Sequence, residues 1–391
     1  MTAAAPPAGR TWPVVLVLLL FFLGAGATLP ALPGAVREAG AGATSLGVVL
    51  GLFPFAALAG RLVAGRLTDR RGRVLTLRLG LVLTVAAGLV FALDGRVMDS
   101  SVAAIGAARA LHGLADALLY TAASAYVLDR TPVDRRPQAL SLLGAAIWAG
   151  YALGPLAGAV LDLRQVGLVI AVGALLGLAV TRGLVESRVD GPRVTGARAL
   201  LPRGVALPGV TLGLGNLGYA ALVGFLVVHL DDQGGNGAVA LTCFSVAVLT
   251  GRLVVVPLAA RLGIMTTLPY AMVVMALGLV VIGGTGSTLV ASVAAAAVGL
   301  GYCLPFPALA SLVAGRVPAS QRGAAIGALV AFYDVFVGIG SVAGGLVAAR
   351  SGTDAVFVLA AVGVLSAAAV NVVLSRQSRV ERVLADAAPD A

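Results

Sequence analysis

The stretch "GRLVAGRLTDRRGR" occupies Gly60–Arg73 and gathers five arginines around one aspartate, in a chain of 391 residues of which only 11% are charged. It returns in reduced form as "GRLVVVPLAARLG" at Gly251–Gly263. There Gly-Arg-Leu-Val stands at the same distance from a closing glycine, and no acid follows. Both copies sit at the end of a long apolar run. Such runs recur along the whole chain, 59% of which is hydrophobic, and each is about 20 residues long, enough to cross ~30 Å of hydrocarbon. Spans are expected at about 12–32, 44–64, 74–93, 102–127, 138–161, 166–184, 204–229, 238–258, 267–284, 288–314, 323–349 and 354–374. The runs are continuous and rich in Ala, Leu, Val and Gly, where a membrane barrel needs short alternating strands. The expectation is an all-α polytopic membrane protein of about twelve helices.

Every basic residue other than histidine is arginine, because the chain has no lysine. Counted over the expected loops, eighteen arginines, from Arg10 and Arg66 to Arg379 and Arg382, fall on the side of the termini, against Arg37, Arg96, Arg164 and Arg350 opposite. The positive-inside rule then puts both termini in the cytoplasm, across the cell membrane. The formal charge of +10 reads as topology and contact with anionic lipid, and nucleic-acid binding is not expected. Arg10 followed by "WPVVLVLLLFFLGAGA" has the outline of a secretory signal. Its removal would unbalance the two halves described next, so a retained first helix is expected. Cys243 and Cys303 fall inside spans and read as packing residues.

The repeat extends beyond its first copy. "DRTPVDRRPQALSL" (Asp129–Leu142) resembles "GRVPASQRGAAIGA" (Gly315–Ala328), which aligns Arg130 with Arg316, Pro132 with Pro318 and Arg136 with Arg322. Two six-helix bundles are expected, over 1–185 and 204–375. The Arg-, Gly- and Pro-containing segment 186–203 joins them as a cytoplasmic loop, and 376–391 forms a cytoplasmic tail. Paired repeats of this kind build a binding site near the bilayer midplane, between units that rock against each other.

Three motifs carry a family resemblance. "GRLTDRRGR" resembles the signature between helices 2 and 3 of the major facilitator superfamily, with Gly65, Asp69, Arg70, Gly72 and Arg73 in its places. "RALHG" (Arg109–Gly113) is similar to its helix-4 Arg-xxx-Gly motif, and "GYALGPLAG" (Gly150–Gly158) to the helix-5 motif of its antiporter branches. "RALHGLADALLYTAAS" is most similar to twelve-helix exporters of drugs, sugars or metallophores. Val74 stands where a second basic residue is common, and Ala260 where Asp69 would align. The resemblance implies a loop that latches the cytoplasmic gate through Asp69. An acid there can pair with Arg or cap a helix N-terminus in one gate position and lose that contact in the other. It also implies a role in antiport for Gly150, Gly154, Pro155 and Gly158. Three glycines at intervals of four form a smooth helix face, and Pro155 bends it; the expected effect is on how tightly the halves close.

Ionisable residues inside spans mark mechanism, since a charge at the bilayer centre costs roughly 2.5–3.5 kcal/mol on insertion scales. Arg109, His112 and Asp116 share one face of helix 4, with Tyr120 a turn further on, and form a candidate proton site with His112 bridging. Asp334 on helix 11 is a second candidate; its repeat mate is Trp148. Arg252 is expected to snorkel to the headgroups. Phe22, Tyr120, Asn216, Tyr219, Tyr302, Phe306 and Tyr333 are candidate cavity residues, and the scarcity of other charges suggests a moderately apolar or cationic organic solute.

The function expected is proton-coupled efflux of a small organic solute by alternating access, with a proton-coupled importer as the alternative and a channel or receptor behind it. No enzyme is expected: there is no lysine for a nucleotide-binding loop, no G-x-S-x-G and no H-E-x-x-H. No metal and no cofactor are expected, and the partners are the solute, protons and lipid, with the chain acting as a monomer.

Overall fold

A computed structural model of the chain describes residues 11–93, 101–132, 135–186, 204–317 and 321–387. Most of the loop expected at 186–203 lies outside the described residues, as do Arg10, Arg96, Pro318 and residues 388–391. Among the described residues the structure is helical and has no strand. The first half comprises α1 (Trp12–Glu38), α2 (Ala43–Arg71), α3 (Arg73–Leu93), α4 (Val102–Arg130), α5 (Arg136–Gly158) and α6 (Leu163–Val180). The second comprises α7 (Ala206–Asp231), α8 (Gly237–Leu262), α9 (Ile264–Gly283), α10 (Thr288–Tyr302), α11 (Pro305–Arg316), α12 (Arg322–Ser351) and α13 (Thr353–Ala387). Among the described residues twelve stretches are long and apolar enough to cross a membrane, with α10 and α11 together forming the tenth.

Three boundaries differ from expectation. The Arg-rich stretch after residue 64 is not a loop: α2 continues to Arg71, because Arg and Leu are good helix formers, and only Gly72 separates it from α3. Gly72 turns the chain at φ +111°, and its repeat mate Gly263 does the same between α8 and α9 at φ +94°, backbone that glycine adopts without strain. The tenth span breaks at Cys303 and Leu304, and Pro305, which lacks an N–H, restarts it as the first residue of α11. Helix α13 runs past the end of its apolar segment to Ala387, so most of the expected tail is helical.

The packing has a pseudo-two-fold. In the first half α1 lies on α5, α2 on α4, and α3 on α6; in the second α7 lies on α12, α8 on α10, and α9 on α13. Across the halves α2 meets α12, and α8 meets α5. Outward faces carry exposed apolar side chains such as Leu168, Val172 and Leu175 on α6 and Leu277 and Val280 on α9, as helices facing hydrocarbon require.

The α2–α12 seam is closed at one end only. A methyl placed on Gly47 would lie 2.8 Å from the Cα of Gly345, so bare backbones touch at the end opposite the termini. Gly65 and Gly327 stand 18 residues from Gly47 and Gly345, five whole turns along the same helix faces at 3.6 residues per turn. At both of these a methyl would meet nothing within 4 Å. Along this seam α2 and α12 thus pack tightly at the far end and part toward the end that carries the termini.

Candidate functional site: a charged aromatic cavity between the halves

Between the halves lies a cavity of about 210 Å³. Its wall includes all seven expected residues, Phe22, Tyr120, Asn216, Tyr219, Tyr302, Phe306 and Tyr333, together with Phe53, Trp148 and Tyr151. The break between α10 and α11 helps to shape it, because Tyr302, the last residue of α10, donates its hydroxyl to Asn216 Oδ1 at 2.8 Å and stands 3.5 Å from the Tyr333 hydroxyl. Tyr219 and Tyr302 stack with centroids 5.2 Å apart, and Trp148 meets both rings edge-on.

Five charged side chains share this wall: Arg61, Arg109, Asp116, Arg252 and Asp334. Arg61 of α2 reaches across the seam to α12, where its Nε donates to Asp334 Oδ2 at 2.6 Å and its Nη2 to Asp334 Oδ1 at 3.3 Å. The same Nη2 lies 3.4 Å from Asp116 Oδ2 on α4. One guanidinium therefore joins two acids from the two halves, in bidentate geometry toward one of them. Sequence reasoning missed Arg61: it fell inside the expected span 44–64 but was grouped with the arginines around Asp69 and not named among the ionisable residues inside spans. The available signal was depth: Arg61 precedes Gly72 by 11 residues, roughly 16 Å of helix.

The row expected on helix 4 is not a connected chain. Arg109, His112 and Asp116 do share a face, but Arg109 turns to α1 and α2, donating to Thr28 Oγ1 at 3.1 Å with its guanidinium 4.7 Å from the Phe53 centroid. His112 is wedged between the rings of Phe21 and Phe53, and neither ring nitrogen has a hydrogen-bond partner among the described residues. The counter-ion of Asp116 is Arg61, not Arg109, because Arg61 projects from the adjoining helix toward the cavity. Arg252 does not snorkel outward either. Its guanidinium lies 5.8 Å from the Trp148 centroid, inside the cavity, and its Nε is buried without a partner.

At the termini end, Asp69 and Arg70 are exposed, and no ion pair among the described residues includes Asp69. Arg73 is the engaged member of the signature: it is buried, with Nε 2.9 Å from Asp129 Oδ2 and Nη1 3.0 Å from the carbonyl of Thr68. The N-terminus of α3 is capped by Glu186, whose oxygens accept from the N–H groups of Val74 (3.0 Å) and Leu75 (3.2 Å). A side chain at Gly72 would collide with that carboxylate, whereas Gly65 faces open space. The α5 glycines form a seam with α1 inside the first half. Methyls on Gly150 and Gly154 would lie 2.7 Å from Leu23 N and 2.5 Å from Leu23 O, and Gly158 abuts Ala27 O. That face is occupied by α1, so within the first half the motif is a small-residue packing seam. In the aligned seam, Gly340 and Gly344 of α12 pack on Leu217, Ala220 and Phe225 of α7.

The family model for the Major Facilitator Superfamily matches residues 14–238 and again 210–390, together nearly the whole chain. The chain belongs to the major facilitator superfamily. This facilitator is 30% identical over 375 residues to an uncharacterized MFS-type transporter of Pseudomonas aeruginosa (strain UCBPP-PA14), covering 94% of this chain and 93% of that one. Its fold is similar to that of a D-xylose–proton symporter, with a TM-score of 0.76 at 17% identity over 91% and 95% of the two chains. It is equally similar to a peptide transporter POT in complex with sulfate, with a TM-score of 0.77 at 17% identity over 96% and 97%. The facilitator is a multi-pass membrane transporter of small molecules and not an enzyme.

Proposed function

We propose that this facilitator is a proton-coupled secondary transporter that moves a small organic solute by alternating access, with Asp116 and Asp334 as the proton carriers. The observation that carries the reading is the position of Arg61, which ties an acid of each half to one guanidinium inside an aromatic cavity. Protonating Asp334 removes its charge from the seam and weakens the hold of α2 on α12, so proton binding is converted into a change in how the halves meet. The asymmetry of the arginines supports a cell-membrane location with both termini cytoplasmic. The cavity then opens to the cytoplasm, and the chain works as a monomer in contact with lipid. His112 and Arg109 stiffen the helix-4 side of the cavity. Asp69, unpaired in this inward-open arrangement, engages only when the gate closes, as the latch reading requires.

The resemblance of Gly150–Gly158 to the antiporter motif supports export, in which solute and proton compete for Asp116 and Asp334. A second reading, uptake together with protons, is favoured by the charge of the cavity. Three arginines face two acids, which leaves one positive charge when both acids are ionised. A solute that neutralised it would favour protonation rather than compete with it. Proteoliposomes carrying the purified protein, an imposed pH gradient and a panel of labelled organic solutes test both readings. Accumulation driven toward the acidic side supports export by exchange, and accumulation toward the alkaline side supports uptake. Transport that shows no counterflow would mean a channel.

A further inference from the structure

Arg61 and Arg252 are repeat mates, each following a glycine that seats its helix two helices along: Gly60 meets Leu114 and Ala117 of α4, and Gly251 meets Leu300 of α10 and Cys303. These contacts set α4 against the tenth span with an offset of 186 residues, the offset that also relates Arg130 to Arg316 and Trp148 to Asp334. The two acids that hold Arg61 therefore have mates of their own. Trp148 stands for Asp334, and Tyr302 stands for Asp116. The pseudo-symmetric cavity keeps an arginine on both sides and acids on only one.

Arg252 is left in a low-dielectric wall beside Trp148, with its Nε buried and unpartnered, and no ion pair among the described residues includes it. Opposite it α5 presents Gly144, where a methyl would come within 3.3 Å of Nη1, so the guanidinium faces bare helix surface. A guanidinium half-buried in an apolar wall without a counter-ion leaves donors to satisfy, and its planar fork matches an oxyanion. On this side of the cavity aromatic rings stand in place of the acids, and Arg252 lines the cavity with no carboxylate of the chain to pair with among the described residues.

We propose that Arg252 recognises the acidic group of an aromatic organic anion whose ring system lies against Trp148, Tyr219 and Tyr302. The inference rests on reading the cavity as the transport site, and the charge it assigns to the solute selects uptake with protons over exchange. It replaces the cationic or moderately apolar solute expected from the sequence. Aromatic faces supply stacking surface for the ring, and the guanidinium fixes its orientation.

Isothermal titration of the purified full chain in detergent with 1-naphthoate, 1-naphthylmethylamine and 1-naphthalenemethanol tests this with one ring and three charges. The expected order is naphthoate first, by at least about tenfold over the amine, the range a charged hydrogen-bonded pair supplies. Arg252→Gln lowers naphthoate affinity by about tenfold or more, and Arg252→Lys keeps part of it. Trp148→Asp, which restores on α5 the acid that α12 carries, abolishes naphthoate binding by satisfying Arg252 internally. Equal or tighter binding of the amine, no heat with any probe, or naphthoate affinity unchanged in Arg252→Gln overturns the proposal. The comparison of the three probes on the unaltered chain decides the matter even if a variant fails to fold. Motion of the halves is measured independently, by distances across the seam, so absent binding leaves the alternating-access reading intact.

Discussion

Arg61 and Asp334 are 273 residues apart in the chain and 2.6 Å apart across the cavity. Their pair lies along the same seam in which Gly47 and Gly345 touch at the end opposite the termini. The Asp334 side chain is 4% exposed and that of Arg61 20%, so the interaction is weakly screened. A second inter-half ion pair, Arg37–Asp232, is 2.9 Å long but more than half exposed on both partners. The two pairs differ in energy for that reason: exposed pairs contribute about 0–1 kcal/mol, while breaking a buried one by removing a single partner costs about 3–5 kcal/mol.

It follows that Arg37→Ala changes transport and thermal stability little, whereas Arg61→Ala, which strands two buried carboxylates, lowers the melting temperature clearly or prevents folding. Fluorescence-detected size exclusion after graded heating compares them directly. Equal losses would remove the distinction drawn from burial.

Asp116→Asn fixes one acid in a form without charge. Gradient-driven transport is expected to fall by at least about tenfold, while exchange of solute at equal concentrations, which needs no net proton movement, persists in part. The check is paired flux measurements in the same proteoliposomes; gradient-driven flux at the unaltered rate would remove Asp116 from coupling.

The α1–α5 seam gives a stability prediction with an internal control. Gly154→Ala forces a methyl against Leu23 O and Ala27 N and is expected to cost about 1–3 kcal/mol. Gly215→Ala, whose methyl would meet only Met272 Cε at 3.7 Å, is expected to be neutral or mildly stabilising. Melting curves of the two variants should separate; if they coincide, the packing account of the motif is wrong.

At the termini end, Glu186→Ala removes the cap of α3 and should cost about 1 kcal/mol. Asp69→Asn, at an exposed site, should leave stability unchanged and yet slow turnover if Asp69 engages when the gate closes. Melting and initial-rate assays on both variants test this split. Loss of stability in Asp69→Asn, with Glu186→Ala unaffected, would reverse the roles given to the two acids.

The helices and the two halves were legible because spans must be long and apolar, and because the repeat leaves glycines and arginines at fixed intervals. Seven of the residues that line the cavity were named from sequence, whereas Trp148 and Tyr151, on the same wall, were not. Partnership was not legible. Arg109 and Asp116 lie two turns apart on one helix, and chain proximity suggested a link. Asp116 instead pairs with Arg61, which arrives from α2, and Asp334 arrives from the other half. Which side chain crosses a cavity depends on how helices face one another, information the local periodicity of one helix does not carry. Arg252 was misread for the same reason: its depth suggested a headgroup contact, while the orientation of α8 turns it to Trp148.

The central claim is that the Arg61–Asp334 pair holds the far end closed, and spin-label distances across the seam test it most directly. Pairs of labels placed at the far ends of α1 and α7, and at the termini ends of α2 and α12, report both gates of the full chain in lipid nanodiscs. Asp334→Asn is expected to shift the population by about tenfold or more toward far-end-open distances, with the termini end closing in step, the size that a loss of 1.4 kcal/mol or more produces. Distance distributions identical to those of the unaltered protein at both ends would contradict the account.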